Sequence, residues 1–294
     1  MGASGNVGGQ VAPRLLEAGM EVRVIGRNEN KMKPLIEKGG KFYPGEADNS
    51  AALTEAFKGT SGIFAMIPPN LQSPNQRKEQ NKIADAIVEA IQKSGVKNVV
   101  ALSSIGAQNA EGVGPVKGLH DFETRLKKLQ NVNIRILRCA FFMENTLNWI
   151  PLIQTMGIAG SPAPGEFPIP MIATRDIGDR IADYLQKLDF QGYTLKYALG
   201  QRDVSQNEAA RILGEAIGKK DLAYRQFPPD QAKTGMMQMG MSEDVANNLI
   251  ELMLAGKLMV STEPRSAQNT TPTSIEVFAK EFANRFRQPA STKA

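Results

Sequence analysis

Three glycines near the start of the chain, Gly2, Gly5 and Gly8, stand in the spacing G-x-x-G-x-x-G within GASGNVGG. Positions without a Cβ allow a tight turn, let a diphosphate approach the backbone, and let the next helix pack closely. The first turn of that helix presents unpaired N–H groups and a positive dipole end to the same anion. The chemistry this implies is the holding of a dinucleotide. Two cations extend it. Arg27 and Lys31 follow the strand pattern of MEVRVIGRN, where an acidic side chain would accept bonds from the ribose hydroxyls of NAD. Cations without a carboxylate favour a 2′-phosphate instead, and hence NADP(H) over NAD(H); the alternative is a pair of solvated surface charges.

Fewer residues offer bond-making chemistry. His120 is the only histidine and Cys139 the only cysteine, which excludes a multi-ligand metal site of the usual kind. An imidazole titrates near neutrality and can hand a proton to a reduced carbonyl or quinone oxygen; it can equally cap a helix or hold a ribose. Lys117, close by, is expected to face solvent. Cys139 lies in the apolar run RILRCAFF and reads as a buried small hydrophobe rather than a reactive thiol. Ser103 and Ser104 close the apolar run VVALSS.

The elements that position these residues follow from periodicity. Val7, Val11 and Leu15 mark one face of a helix ending near Gly19, in which Pro13 predicts a kink. MEVRVIGRN is a strand, KFYPGEADN a weaker one ending at Asp48, and Leu53, Ala56 and Phe57 share a short helix. GIFAMIPPN is a strand covered on both faces; Ile83, Ile87 and Ile91 then trace a long helix, and VKNVVALSSIG another buried strand. Leu119, Phe122, Leu126 and Leu129 mark the next helix, and VNIRILR the next strand. Strands alternating with helices, too far apart for hairpins, specify a doubly wound α/β fold with a parallel sheet.

Residues 1–150 are read as the nucleotide-binding domain, with 171–200 returning to it through the helix TRDIGDRIADYLQ and the strand GYTLKYALG. Residues 151–170, rich in Pro and Gly, join 201–294 in a smaller, mostly helical substrate domain over the sheet's carboxyl edge. Within it Ser205 and Glu208 form a capping box for a helix stopping at Gly218, a second helix runs from about Ser242 to Gly256, and Thr273 with Glu276 caps the last. The tail from Arg287 is expected to be disordered. Met236, Met237, Met239 and Met241 in TGMMQMGMSED form either core or an adaptable apolar wall over a flat substrate.

Charge and composition exclude some partners. The 35 basic and 30 acidic residues are scattered, with no basic run or interleaved aromatics, which argues against nucleic acid. No apolar run reaches the roughly 18 residues of a membrane span and the N-terminus lacks a signal-peptide layout, so a cytoplasmic protein with no membrane contact is the expectation.

Taken together, GASGNVGG, VIGRNENK, GEADN, FAMIPPN, NIRILRCAFFMEN, MIATRDIGD and NTTPTSIEVFAKEF resemble the NmrA-like group of atypical short-chain dehydrogenases. That group includes NADP-dependent quinone and azo-dye reductases as well as non-catalytic redox-sensing regulators that act through a protein partner. The resemblance implies phosphate contacts from Gly2, Ala3, Ser4, Gly5, Asn6 and Val7, and 2′-phosphate contacts from Arg27 and Lys31. It places Asp48 and Asn49 beside the adenine, Ile67 and Pro68 along the cofactor, and Phe142, Met143, Glu144 and Asn145 near the nicotinamide. Asp48 has an alternative as a helix cap, and the FFMEN turn one as core packing. Ordinary short-chain dehydrogenases pair a Tyr-x-x-x-Lys with a Ser, and Ser103 or Ser104 stands where that Ser belongs. The pair itself falls on Val116 and His120 in GPVKGLHDFET, so the tyrosine is missing, and His120 takes a slot where some relatives carry a cofactor-binding lysine. The function implied is NADPH-dependent hydride transfer to an apolar acceptor such as a quinone, azo compound or aldehyde. The alternative is an NADP-sensing regulator. Relatives also carry an apolar strand before the glycine loop, so the resemblance implies that this strand is missing, that the true start lies upstream of Met1, and that a chain starting at Met1 is poorly stable.

Overall fold

The computed structural model describes residues 1–288. Helix α1 (Gly8–Glu17) turns Val11, Ala12 and Leu15 inward and continues through Pro13. Strand β1 (Arg23–Gly26), short helix α2 (Lys33–Ile36), β2 (Lys41–Pro44), α3 (Ser50–Phe57) and β3 (Ile63–Ala65) follow. Then come α4 (Gln76–Ser94), β4 (Asn98–Ser104), α5 (Val116–Leu126) and β5 (Asn133–Cys139). The β2 strand stops at Pro44 rather than Asp48, because Gly45 to Asp48 form the turn into α3, whose cap is Asn49. The remaining elements are β6 (Phe141–Phe142), α6 (Ile150–Met156), β7 (Ala159–Ser161), β8 (Ile169–Ile172), α7 (Thr174–Lys187), β9 (Tyr193–Ala198), β10 (Asp203–Val204), α8 (Gln206–Ala216), β11 (Tyr224–Gln226), α9 (Pro229–Gln238), α10 (Glu243–Leu254) and α11 (Ile275–Arg287).

Strands β3, β4, β5 and β9 form a parallel sheet in the order β3-β4-β5-β9, and β1 pairs in parallel with β2. The sheet has an apolar layer on each face. One gathers Val7, Val11 and Leu15 of α1, Val24, Phe64 and Ile177 and Ile181 of α7; the other gathers Leu53, Phe57, Ile87, Ile91, Phe122 and Ile136 from α3, α4, α5 and β5. This is the doubly wound α/β fold. Its two strand groups share no ladder: β1 and β3 are not hydrogen-bonded, and the Met1 amine nitrogen donates to Phe64 O of β3 at 3.1 Å.

A third apolar cluster, with Trp149, Ile153, Leu213, Phe278 and Phe282, joins α6, α8 and α11. Ser205 caps α8 by accepting from the Glu208 N–H at 3.1 Å, and Ser242 caps α10. The last helix is capped by Ser274, not Thr273, because Thr273 donates its hydroxyl to Asp176 Oδ1 at 2.6 Å and its N–H to Asp176 Oδ2 at 3.0 Å. Of the tail expected from Arg287, that residue still ends α11, and 289–294 lie outside the described residues. No described helix is long and apolar enough to cross a membrane.

Candidate active site

The glycine loop meets the physical requirements of an anion cradle. Gly2 has φ of 64°, and the Gly5 N–H closes the turn on Gly2 O at 2.9 Å. A Cβ on Gly8 would run into the Gly2 carbonyl, so α1 can start here only from glycine. Ala3 and Val7 anchor the loop in the core while Ser4, Gly5 and Asn6 stay exposed. The first turn of α1 holds no acidic residue, and no side chain caps it. In that turn the Gly9, Gln10 and Val11 N–H groups bond the Gly5 and Val7 carbonyls, which leaves the Gly8 N–H and the positive end of the helix dipole to an anion.

The neighbouring strands deliver their residues to the same edge. Arg27 follows the end of β1, and Lys31 lies in the turn after it; both are exposed, and neither pairs with a carboxylate among the described residues. Asn49 is the helix cap, its side chain accepting from the Ala52 N–H at 3.1 Å. Asp48 instead accepts from the Lys82 ammonium at 2.7 Å, which holds its carboxyl below the ordinary range. Ile67 and Pro68 leave the carboxyl end of β3, Ile67 buried and Pro68 half-buried.

Residues expected to act on an acceptor are tied down in different ways. Ser103 is buried and donates to Glu123 Oε1 at 2.5 Å, so its hydroxyl is turned into the layer under α5 rather than toward the edge. Ser104 donates to the Ile105 carbonyl at 2.8 Å. His120 is partly exposed, and its Nδ1 lies 2.9 Å from Ala107 O. A carbonyl only accepts, so Nδ1 carries the hydrogen and Nε2 is the nitrogen left to exchange a proton. Lys117 does not face solvent freely, because it donates to Glu251 of α10 at 2.8 Å. After β5, Phe142 is half-buried, Met143 buried and Asn145 exposed. Glu144 accepts from the Thr174 N–H at 2.8 Å and hydroxyl at 2.6 Å, fixing the start of α7, and burial pushes its carboxyl above the ordinary range. Burial also pushes the Cys139 thiol far up, which leaves it inert.

A family model described as NmrA-like matches residues 1–278. The chain belongs to the NmrA-like family. The NAD(P)H azoreductase of Xenophilus azovorans is 26% identical over 293 residues, which cover 97% of this chain and 98% of that relative. Among solved structures, the triphenylmethane reductase of Citrobacter sp. is similar with a TM-score of 0.79 at 18% identity, covering 96% of this chain and 98% of the other. An NADPH-dependent quinone oxidoreductase from Escherichia coli is similar with 0.76 at 18%, covering 95% and 97%. At such identities the two structures speak for the shared Rossmann-type fold.

In this NmrA-like chain a polar network escaped sequence reasoning. Ser103, Arg138 and Tyr197 stand side by side on three adjacent strands. Arg138 grips Glu123 of α5 with two bonds of 2.9 and 2.6 Å, and its third nitrogen reaches Tyr197 Oη at 3.0 Å and Gln108 Oε1 at 3.3 Å. Glu123 sits three residues after His120, in a segment that reads only as an amphipathic helix. Its partners come from distant strands, and no local spacing announces them.

Proposed function

We propose that the protein is an NADPH-dependent reductase that passes hydride to a flat apolar acceptor, a quinone, azo compound or aldehyde. The observation that carries the reading is the uncapped start of α1 behind the exposed Ser4–Asn6 loop, with Gly8 pressed on Gly2 and two unpaired cations beyond β1. That donor set fits a dinucleotide carrying an extra phosphate: backbone N–H groups hold the diphosphate, and Arg27 and Lys31 hold the 2′-phosphate. The azoreductase relative supports the reductase class. A bound nicotinamide supplies the hydride. The chain supplies position, because Ile67, Pro68 and the Phe142–Asn145 turn flank the path at the carboxyl edge. When its ring carries protons on both nitrogens, His120, held through Nδ1 by Ala107 O, hands the one on Nε2 to the reduced oxygen, and water serves in its absence.

A panel of quinones and azo dyes tests this by NADPH oxidation. Turnover with at least one acceptor is expected, and His120→Ala is expected to lower it by about 10²-fold while cofactor affinity holds. Micromolar NADPH binding with no oxidation by any acceptor would instead support an NADP-sensing regulator whose C-terminal part meets a protein partner.

A further inference from the structure

The segment after α10 crosses the loop that follows β4. That loop, Ile105–Pro115, contains three glycines with positive φ, at 88°, 76° and 53° for Gly106, Gly112 and Gly114. Each is packed by the C-terminal segment: a Cβ on Gly106 would strike Met259 Sδ, one on Gly112 would lie 2.9 Å from Leu258, and one on Gly114 would strike the Asn248 carbonyl. Met259 also packs against the apolar cluster that Met66 and Phe142 line. Its side chain therefore lies just beyond the end of β4, at the edge where the reductase reading delivers hydride.

The strap holding Met259 is weakly secured. Between Gly256 and Thr262 only Met259 and Ser261 are better than exposed. Asn109 Nδ2 donates to Leu258 O at 3.0 Å, Gln108 Nε2 to Val260 O at 3.1 Å, and the Thr262 hydroxyl meets Tyr197 Oη at 2.8 Å. On either side the chain is firmer. Ser242 and Asp244 tie the start of α10 to Ser73 O and the Gln76 N–H, and Arg265 binds the Leu199 and Gly200 carbonyls. Gly256, with φ of 49°, sits at the first pivot. Mostly exposed residues, held by a short 3₁₀ turn and a few side-chain bonds between two fixed points, describe an element that opens locally.

We propose that residues 256–262 form a substrate gate, that Met259 is its plug and sets the size of acceptor admitted, and that Tyr197 with Thr262 is its latch. The flexible thioether suits a plug that adapts to flat rings. The gate rests on the reductase reading for its purpose but not for its motion.

Because Cys139 is buried, a Met259→Cys variant places one reactive thiol on the plug. Adding Thr262→Val or Tyr197→Phe should speed its labelling by a maleimide about fivefold, the worth of one hydrogen bond, whereas Lys257→Cys, always exposed, should label at one rate in every background. Met259→Ala should lower KM for 9,10-phenanthrenequinone about tenfold and leave that for benzoquinone and the Kd for NADPH within twofold. Labelling insensitive to both latch variants, or equal shifts for the two quinones, overturns the gate. If no quinone is reduced by the wild type, the reductase reading fails, and labelling alone decides the gate.

Discussion

The glycine loop, which precedes α1, and the β4 loop, which follows β4, are held in opposite ways. The glycine loop is shaped by its own backbone: Gly5 N–H on Gly2 O, Gly8 against Gly2, and the start of α1, all within seven residues. The β4 loop is met by side chains that arrive from far along the chain: Arg138 reaches Gln108, and Met259 and Leu258 lie on Gly106 and Gly112. A site that binds an invariant ligand is written locally. On the reductase reading, the acceptor's site is the one assembled from distant parts, where substitutions would alter shape without disturbing the cofactor.

The largest expected effect falls on the distant assembly. Arg138→Met leaves the Glu123 carboxylate buried without its guanidinium, and urea unfolding should show a loss of about 3–5 kcal/mol. A loss under 1 kcal/mol would mean that the network does not hold this side together. Next, Gly8→Ala should weaken NADPH binding on the order of 10²-fold, since a displaced loop misplaces its donors, with little change in helical circular dichroism. An unaltered Kd would erase the distinction between the two loops. The smallest effect concerns Glu144, which lies in neither loop and fixes the start of α7. Its carboxyl is raised by burial, so the folded state keeps the proton longer than the unfolded state. Stability from this group is therefore lost as pH rises from the unfolded value through the folded one. Glu144→Gln should remove that slope, and thermal melts of both proteins between pH 4 and 8 should run parallel only if the carboxyl is not raised.

The same division explains what could be read before the structure. Strand and helix order, the Ser205 cap, a helix starting near Ser242 and the burial of Cys139 follow from spacing and local chemistry. Thr273 reads as a cap because it has the same hydroxyl chemistry as Ser274 beside it, and only the tertiary position of Asp176 separates them. The methionine cluster divides: Met236 packs with Ala246 and Ile250, whereas Met237 and Met239 are exposed, a split that composition cannot make. Lys117 seemed a surface charge because Glu251, its partner, lies on α10. The absence of a ladder between β1 and β3 leaves peptide groups of both strands without strand partners.

Calorimetric titration with NADPH and NADH, on the wild type and on Arg27→Ala, tests the central claim most directly. The wild type should bind NADPH at least tenfold more tightly than NADH, and the variant should lose about ten- to a hundredfold for NADPH and less than twofold for NADH, as expected of charged hydrogen bonds to one phosphate. No heat with either nucleotide, or equal losses for both, would contradict it.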